Sequence, residues 1–301
     1  MNIFTVGATG AIGRPLLNRL LSEGHKVSAL AQSEEKASSL RQLGVTPYVG
    51  NILDRHNVLE CIRSSHPDVV INMLTSLPKQ YTPEEMKAAA ARNDPLRLAA
   101  GENLLFAMQQ VGTRRYLMQS AAFLYEEGEG LADETTSFAL QASPGIQHTA
   151  HVYQQLENQV LLGNGIEGVI LRFGFFYGPG TWYAPDGSVA DQVCKQQFPI
   201  IADGKGLWSF VHIEDAAQAI QEAVKGPVGI YNITDDQPIS MAAWLPAFAQ
   251  WLKAPAPLHI SAAECPSVDR LYYATRLRGA SNAKAKRELK FRSRPLMWIS
   301  S

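Results

Sequence analysis

The stretch Ile3-Phe4-Thr5-Val6-Gly7-Ala8-Thr9-Gly10-Ala11-Ile12-Gly13-Arg14-Pro15-Leu16 decides how this chain folds. An apolar run predicts a β-strand, glycines spaced by three residues predict a tight turn, and the following residues have the spacing of an amphipathic helix. Gly7 permits the turn, Gly10 lets a phosphate approach the backbone, and Gly13 lets the helix pack closely. Free amides at the start of the helix then face that phosphate group. The predicted contacts to a dinucleotide come from Gly7, Thr9, Gly10, Ala11, Ile12 and Gly13.

The alternation of strand and helix continues outward from this turn through the first half of the chain. Further apolar runs lie at Lys26–Ala31, Thr46–Val49, Asp68–Leu74, Tyr116–Met118 and Gly168–Phe173, and helical patterns lie at Arg14–Glu23 and Pro95–Val111. Continuous apolar strands that alternate with helices indicate a parallel sheet covered on both faces. The sequence therefore predicts an α/β fold with a Rossmann-type, doubly wound parallel sheet.

The regular alternation ends after Gly174. Residues 177–206 are rich in glycine, proline and aromatic residues without a clean period. Beyond them, strands are predicted at Trp208–Val211 and Gly229–Thr234, and helices from Asp215, at Ala242–Lys253 and at Asn282–Leu289. We predict a dinucleotide-binding domain over residues 1–174 and a smaller mixed lobe over residues 175–301, which binds substrate and does not fold independently.

Composition narrows the functional class. The chain has 301 residues, 46% of them hydrophobic and 18% charged, with a net charge of -1, which is typical of a globular protein and gives no field for nucleic acid or membranes. Its three cysteines are far apart and match no zinc or disulfide pattern. The first residues run directly into an apolar strand without a basic leader. We expect a cytoplasmic monomer or homodimer with a small-molecule substrate, no metal, no nucleic acid and no membrane.

The spacing Gly-x-x-Gly-x-x-Gly resembles the extended and atypical branch of the short-chain dehydrogenase/reductase superfamily, which contains NAD-dependent epimerase/dehydratase-like proteins. Similar segments follow in the expected order at Gly50–Asp54, Leu171–Gly180, Ser209–Asp215 and Arg278–Leu289. The resemblance spans nearly the whole chain. It implies that the turn after the third strand lies against adenine and that the segment after the sixth strand lines the nicotinamide end. Asn51, Ile52, Thr75 and Phe173 are the further cofactor candidates.

The end of the second strand bears on the choice between NAD and NADP. An acidic residue there would bind the ribose hydroxyls of NAD and repel a 2′-phosphate, but the strand ends in Ala31-Gln32-Ser33. Ser33 can donate a hydrogen bond to a phosphate, and Arg14 and Lys36 can supply positive charge. Glu34 and Glu35 count against this unless they favour the N-terminus of a helix that Ser33 caps. We expect NADP in preference to NAD, with contacts from Gln32, Ser33 and Lys36.

The catalytic residues of the superfamily are a tyrosine that acts as acid and base, a lysine four residues later, and a serine that orients the substrate. If Tyr153 is that tyrosine, Glu157 stands at the lysine position, where a carboxylate raises the tyrosine pKa. In the second register Glu157 matches a glutamate that follows the lysine, so that Thr149 and Tyr153 take the tyrosine and lysine positions. The distance along the chain from Glu157 to Arg172 favours the second register. Both registers lack the Tyr/Lys pair.

The serine of the superfamily is also missing from its usual position, which Ala121 occupies here, and Ser120 stands one residue before it. A bulge at the strand end would still bring Ser120 to the site. Our catalytic candidates are therefore Tyr153, Ser120 and Thr149. His148 and His151 are alternative proton donors with a suitable ordinary pKa.

Aromatic residues around the predicted cleft suggest a flat or apolar substrate. The substrate candidates are Phe123, Tyr125, Tyr177, Trp182 and Tyr183. The leading hypothesis is an NADP(H)-dependent oxidoreductase, a ketoreductase on a small aromatic or polycyclic metabolite that works without the Tyr/Lys pair. One alternative is an epimerase, dehydratase or cyclase with tightly bound NAD(P), in which Lys205, Arg276 and Arg278 hold a diphosphate. The other is a non-catalytic NAD(P)-binding regulatory protein.

Overall fold

The computed structural model describes residues 1–299 of the chain. The strands in that part are β1 Asn2–Val6, β2 Lys26–Ala31, β3 Thr46–Val49, β4 Val69–Asn72, β5 Arg115–Ala121, β6 Glu167–Phe173, β7 Phe175–Tyr177, β8 Ile200–Ile201, β9 Leu207–Trp208, β10 Phe210–His212, β11 Gly229–Ile233, β12 Ile239–Ser240 and β13 His259–Ile260. The helices are α1 Gly13–Ser22, α2 Glu34–Gln42, α3 Arg55–Ser65, α4 Pro83–Val111, α5 Pro144–Leu161, α6 Ser188–Cys194, α7 Ile213–Ala223, α8 Met241–Trp251, α9 Val268–Thr275 and α10 Ala283–Glu288.

The central sheet confirms the predicted doubly wound α/β fold. Its order is β11-β6-β5-β4-β1-β2-β3, and every neighbouring pair is parallel. The chain reverses direction across the sheet between β1 and β4, where Val6 lies beside Asn72. Ligands of doubly wound sheets bind outside the carboxyl ends of the strands at such a reversal. The fold therefore places the candidate site next to the glycine turn.

Two buried clusters of apolar side chains hold helices on the two faces of the sheet. One cluster joins the sheet to α1, α2, α7 and α10, and the other joins it to α3, α4 and α5. Leu16, Leu17 and Leu20 show the cause in α1, because their spacing places all three against the sheet, where at most 2% of each is exposed. This double cover explains why the strands are apolar on both sides.

The seventh strand of the central sheet comes from the second half of the chain. β11 extends the sheet beyond β6, pairing Gly229 with Val169 and Ile233 with Phe173. Helix α7 leads into β11 and packs against α1 in the same buried cluster. The boundary at residue 174 stays a prediction, but part of the segment 175–301 completes the sheet rather than a separate lobe.

The rest of the second half surrounds a third apolar cluster, which contains Trp208, Phe210, Trp244 and Phe248. The single strand expected at Trp208–Val211 is two strands in the structure. β9 pairs antiparallel with β12, whereas β10 pairs parallel with β7, so the chain changes partner at Ser209. The Ser209 carbonyl accepts from the amide of Phe175 and its hydroxyl accepts from the amide of Ala280, which fixes this change.

Helix α4 begins at Pro83, and our expectation of a start at Pro95 was wrong. The Thr82 side chain accepts a hydrogen bond from the amide of Glu85, and Pro83 occupies the first turn, where a missing N–H costs no helical bond. Pro95 lies inside the helix.

No helix within residues 1–299 has both the length and the apolar character needed to cross a bilayer.

Candidate active site

Two glycines of the turn after β1 are required by their surroundings. Gly7 has φ +84°, and a Cβ added to it would lie 2.4 Å from the carbonyl oxygen of Met73, which follows β4. A Cβ on Gly13 would lie 1.9 Å from the carbonyl oxygen of Ala8, so helix α1 starts in close contact with the turn that precedes it. The turn therefore lies against the segment after β4 at the reversal point of the sheet.

The start of α1 offers unpaired amides to an anion. The amide of Gly10 donates to Gly7 and that of Gly13 donates to Gly10, but no acceptor in residues 1–299 receives the amides of Ala11 and Ile12. No side chain caps this helix, and the backbone from Thr9 to Ala11 is exposed. Free amides at a helix N-terminus are suited to a pyrophosphate. The residues present fit the diphosphate of a dinucleotide.

Three polar residues follow β2, namely Gln32, Ser33 and Lys36, and the Lys36 ammonium has no ion-pair partner within residues 1–299. Ser33 caps α2 by accepting from the amide of Lys36, which leaves its hydroxyl hydrogen available to a ligand. The Lys36 ammonium donates to Gln32 Oε1 over 3.0 Å, and both side chains are exposed. Glu34 is paired with Arg41 on the same helix. The Arg41 guanidinium thus partly neutralises the Glu34 carboxylate. Glu34 also lies in the first turn of α2, where a negative charge is favourable.

The turn after β3 is shaped by local polar contacts. Asp54 caps α3 by accepting from the amides of His56 and Asn57. Asn51 is exposed, whereas the side chain of Ile52 is 3% exposed and packs in the core. The Asn51 Oδ1 accepts from the amide of Leu53, so its Nδ2 is the group open to a ligand, and Ile52 packs beneath the turn.

Thr75 and Phe173 lie at the ends of β4 and β6, but their side chains have different surroundings. The Thr75 hydroxyl accepts a hydrogen bond of 2.9 Å from Arg97, and the residue is half-buried. The ring of Phe173 is 1% exposed and packs on Phe176 with centroids 5.3 Å apart. The side chain of Phe173 therefore fills the core, so that only its backbone, at the end of β6, is open to a cofactor.

Two catalytic candidates, Thr149 and Tyr153, lie on one face of α5, because residues four apart are neighbours on a helix. The Thr149 hydroxyl donates to the carbonyl of Gly145 in the preceding turn, over 2.8 Å. Tyr153 is 6% exposed and lies under the guanidinium of Arg97, 5.1 Å from its ring centroid. Tyr153 and Arg97 border a small cavity with Gln119. Tyr153 is thus next to a positive charge, which Arg97 supplies from α4.

Glu157, one turn further along α5, has a structural role. Its carboxylate receives two hydrogen bonds from Arg172, of 2.8 and 2.6 Å, and a third of 2.6 Å from the Ser120 hydroxyl. All three residues are at least 95% buried. A bidentate pair of this kind fixes the strand–helix geometry. The hydroxyl of Ser120 therefore donates to Glu157, and the residue is buried in this arrangement.

Three of the predicted substrate contacts are also corrected, because their side chains are in the core. Tyr125 is 1% exposed and its hydroxyl contacts Arg172 and Asn232; burial raises the pKa of this phenol to about 12. Tyr177 and Tyr183 are 1% and 3% exposed. Burial raises the pKa of both phenols, which makes them weaker acids than an exposed tyrosine.

A half-buried group of rings remains at the junction of the central sheet and the second half of the chain. We call it the aromatic patch, and its members are Tyr81, Phe123, Phe175, Trp182 and Tyr273. Phe123 stacks on Phe175 with centroids 4.5 Å apart, and Trp182 lies 4.8 Å from Tyr81. Phe123 and Tyr273 also pack against the core of the sheet. Of the predicted substrate contacts, Phe123 and Trp182 belong to this patch.

Sequence reasoning missed Tyr81, Tyr273 and Arg97 because each reaches the site from a distant segment. Tyr81 precedes α4 and Tyr273 lies on α9. The pKa of the Tyr273 phenol is raised by burial, and the neighbouring Tyr81 and Tyr153 are among the further causes. Tyr273 packs against the apolar cluster that contains Tyr153, and Tyr81 and Tyr273 both pack against the third cluster, although no local pattern relates these residues.

The other polar candidates are engaged with protein partners. His148 is exposed and pairs with Asp94 over 2.7 Å, and His212 caps α7 through its Nδ1, which accepts from the amide of Glu214. Lys205, Arg276 and Arg278 bond to Asp203, Glu127 and the carbonyls of Glu129 and Gly130, respectively. These three cations do not converge on a diphosphate.

No group of three His, Cys, Asp or Glu residues within positions 1–299 is arranged to hold a metal ion.

The sheet order and the glycine turn define a Rossmann-type dinucleotide-binding protein. The model of the NAD-dependent epimerase/dehydratase family matches residues 3–234, and the chain belongs to that family. A larger open concavity lies at the opposite edge of the sheet, near His66 and Arg114, but ligands of such folds bind at the carboxyl edge. The candidate site is therefore the region between the glycine turn and the aromatic patch.

Two curated relatives are reductases. The 3-diazoavenalumate denitrifying reductase of Streptomyces sp is 34% identical over 99% of this chain and 98% of its own length. The 4-hydroxy-2-methyl-3-oxo-4-farnesyl-3,4-dihydroquinoline-1-oxide ketoreductase of Stigmatella aurantiaca is 26% identical over 81% of this chain and 71% of its own. The present chain is an NAD(P)-dependent enzyme of the oxidoreductase type.

The fold is also that of solved structures. The UDP-glucose 4-epimerase of Thermus thermophilus, in complex with NAD, has a TM-score of 0.72 and 21% identity, covering 99% of this chain and 96% of that one. At this identity the likeness establishes the fold alone.

Proposed function

We propose that this protein is an NADP(H)-dependent reductase of a small aromatic molecule. It works without the Tyr/Lys pair of the superfamily, which this chain lacks. The aromatic patch is the observation that carries the proposal. Its members Phe123 and Tyr273 pack against the cluster that contains Tyr153, and the patch offers stacking surfaces to a flat ring at the carboxyl edge of the sheet. The substrate ring lies among Phe123, Trp182 and Tyr273, and the glycine turn holds the pyrophosphate.

The reaction that suits this site needs no proton from the protein. The dinucleotide, when bound, supplies a hydride. Hydride addition to an aryl diazonium ion forms a C–H bond, breaks the C–N bond and releases N2, so that ArN2+ and NADPH give ArH, N2 and NADP+. Thr149 and Ser120 donate their hydrogens to protein acceptors, which is compatible with a reaction of this kind. A relative that is named a denitrifying reductase of a diazo compound supports this choice.

The preference for NADP rests on the group after β2. Ser33 and Lys36 present a hydroxyl and an ammonium at the end of a strand that carries no acidic residue at positions 31 and 32. A 2′-phosphate accepts hydrogen bonds from both. Asn51, on the neighbouring turn, contacts the adenosine. We expect NADPH to bind at least ~10-fold more tightly than NADH, which corresponds to about 1.4 kcal/mol.

The test is turnover of the purified full-length protein with NADPH or NADH and two matched panels, aryl diazonium ions and aryl ketones. NADPH carrying deuterium at the transferred position labels the product arene in the first reaction. Tyr153→Phe is the matched variant, and we expect its turnover with diazonium ions to stay within about threefold of wild type. Binding of NADPH without turnover of either panel would contradict the proposal and favour the regulatory alternative.

Ketone reduction is the second candidate, supported by the relative that is named a ketoreductase. In that reaction a proton must reach the alkoxide, and Tyr153 is the phenol that stands next to a positive charge. Turnover of ketones alone, lost in Tyr153→Phe, would select this second reaction. We further propose a cytoplasmic enzyme that is a monomer or homodimer, and its three free cysteines are compatible with a reducing compartment.

A further inference from the structure

Arg97 is a cation at the candidate site without an anionic partner. Its guanidinium donates one hydrogen bond, from Nη2 to the Thr75 hydroxyl, and forms no ion pair within residues 1–299. Asp94, three residues earlier on α4, pairs with His148 instead. Arg97 is half-buried, and none of its nitrogens is both buried and unbonded, so its remaining donors are accessible. The charge of Arg97 is therefore open to a ligand.

A small cavity connects Arg97 with the glycine turn. Arg97 and Tyr153 line this cavity together with Leu74, and the guanidinium lies 5.1 Å from the centroid of the Tyr153 ring. A Cβ on Gly7 would meet the backbone nitrogen of Leu74 at 3.0 Å and the carbonyl oxygen of Met73 at 2.4 Å. The segment after β4 thus lies against the glycine turn and also borders the cavity beside Arg97.

The order of the sheet decides which half of the dinucleotide lies on this side. Strands β2 and β3 lie on one side of β1, and β4 and β5 lie on the other. Ser33, Lys36 and Asn51, the proposed contacts of the adenosine half, follow β2 and β3. A dinucleotide binds across the reversal of the strand order, so its nicotinamide half extends from the glycine turn over β4 and β5. Arg97 therefore lies on the nicotinamide side.

We infer that Arg97 makes the site bind the reduced cofactor in preference to the oxidised one. The nicotinamide ring carries a positive charge in NADP+ and is neutral in NADPH. A guanidinium that no carboxylate compensates repels the charged ring, and it does so more strongly in a half-buried site than in water. This inference rests on the proposed cofactor site and adds the direction of the reaction, because NADPH binds and NADP+ leaves.

The first test is equilibrium binding to the full-length protein, which does not depend on turnover. The probes are NADPH, NADP+ and adenosine 2′,5′-bisphosphate, which lacks the nicotinamide half. We expect wild type to bind NADPH at least ~10-fold more tightly than NADP+. Arg97→Gln should lower that ratio at least ~5-fold, whereas Arg97→Lys should keep it within about twofold because the charge remains. Both variants should bind adenosine 2′,5′-bisphosphate within about twofold of wild type, because this probe does not reach Arg97.

Arg92→Gln is the matched control, since Arg92 lies on the same helix and is exposed. It should bind all three probes as wild type does. Equal affinity of wild type for NADPH and NADP+, or the wild-type ratio in Arg97→Gln, would overturn the inference. Equal weakening of all three probes in Arg97→Gln would also overturn it, because a purely structural role of Arg97 affects both halves of the cofactor site.

The second test separates this inference from the proposed reaction and uses product inhibition. With a substrate that turns over, the inhibition constant of NADP+ relative to the KM for NADPH should fall at least ~5-fold in Arg97→Gln, in parallel with the Kd ratio. If the Kd ratio depends on Arg97 but the protein reduces neither diazonium ions nor ketones, the proposed function fails while the inference stands. If wild type reduces either panel and Arg97→Gln keeps both ratios, the inference fails while the function stands.

Discussion

The three glycines of the turn after β1 differ at the level of single atoms. A Cβ on Gly13 would overlap the backbone of Ala8, whereas a Cβ on Gly10 would meet only the carbonyl oxygen of Gly7, at 3.4 Å. Gly10 is exposed and has no positive φ. Gly13 is therefore a requirement of the fold, and Gly10 is free to serve a ligand.

This contrast predicts different outcomes for two alanine substitutions. Gly10→Ala should change the free energy of unfolding by less than ~1 kcal/mol and weaken NADPH binding by at least ~10-fold, because the methyl group occupies the phosphate position. Gly13→Ala should cost about 3 kcal/mol, because backbone must move. Urea denaturation and equilibrium binding of NADPH measure both effects. Unchanged NADPH affinity in Gly10→Ala would remove the turn from the cofactor site.

Asp235 is a second residue whose surroundings set its chemistry. It follows β11 and is 3% exposed, and burial raises the pKa of its carboxyl to about 8 from an ordinary 3.8. The neighbouring Asp236 adds to the rise, and the amide of Gln237 offsets part of it. The folded protein therefore holds a proton on Asp235 between these two pH values that the unfolded chain releases.

Stability should fall as pH rises through this window. Below pH 3.8 both states hold the proton, and between 3.8 and about 8 only the folded state does, so unfolding releases a proton and a rise in pH favours it. The slope from this group is at most about 1.4 kcal/mol per pH unit. Asp235→Asn should remove it, so that the variant gains stability relative to wild type between pH 5 and pH 8. Parallel stability curves for the two proteins in urea would contradict the assignment.

Helix α5 shows how one element combines roles at successive turns. Thr149 bonds back to its own helix, Tyr153 meets Arg97, and Glu157 joins the helix to β5 and β6 through Ser120 and Arg172. The turn with Tyr153 borders the small cavity beside Arg97, and the turn with Glu157 anchors the helix. The anchor keeps the face of α5 in register with the sheet.

Substitutions in this anchor should therefore affect stability rather than binding. Glu157→Gln should cost about 3–5 kcal/mol, because it leaves the Arg172 guanidinium buried without its carboxylate. Ser120→Ala should cost about 1 kcal/mol, because it removes one hydrogen bond and keeps the ion pair. Chemical denaturation measures both values, with the NADPH affinity of Ser120→Ala as the control. A large loss of turnover in a stable Ser120→Ala would restore Ser120 as a catalytic residue.

At the scale of the whole molecule, the two halves of the chain share one sheet. β11 covers the edge of β6, and α7 covers α1, so residues 1–174 alone would leave an open strand edge and an apolar helix face. The family model likewise extends to residue 234, past β11.

A fragment of residues 1–174 should therefore lack a cooperative thermal transition, whereas the full chain should unfold in one. Circular dichroism during heating and binding of a hydrophobic dye measure this, with the full chain as the control. A soluble monomeric fragment with a sharp transition would instead support a self-contained domain that ends at residue 174.

The parts of the fold that could be predicted are those with a local cause. The glycine spacing and the apolar runs specify the turn and the parallel strands, because φ values, periodicity and strand burial act over a few residues. The absence of a lysine four residues after Tyr153 is likewise legible from the chain. The start of α4 was predicted wrongly at Pro95, because a proline is compatible with either a helix start or a helix interior whose partners accommodate it.

The substrate side of the site required contacts between distant segments. Tyr125, Tyr177 and Tyr183 were predicted as cleft residues, but packing buries them, whereas Tyr81 and Tyr273 reach the site from the loop before α4 and from α9. Burial and pairing depend on which surfaces meet when the sheet closes over its helices, and no local pattern records that. The sequence thus determines the dinucleotide turn, and the tertiary packing determines the aromatic patch.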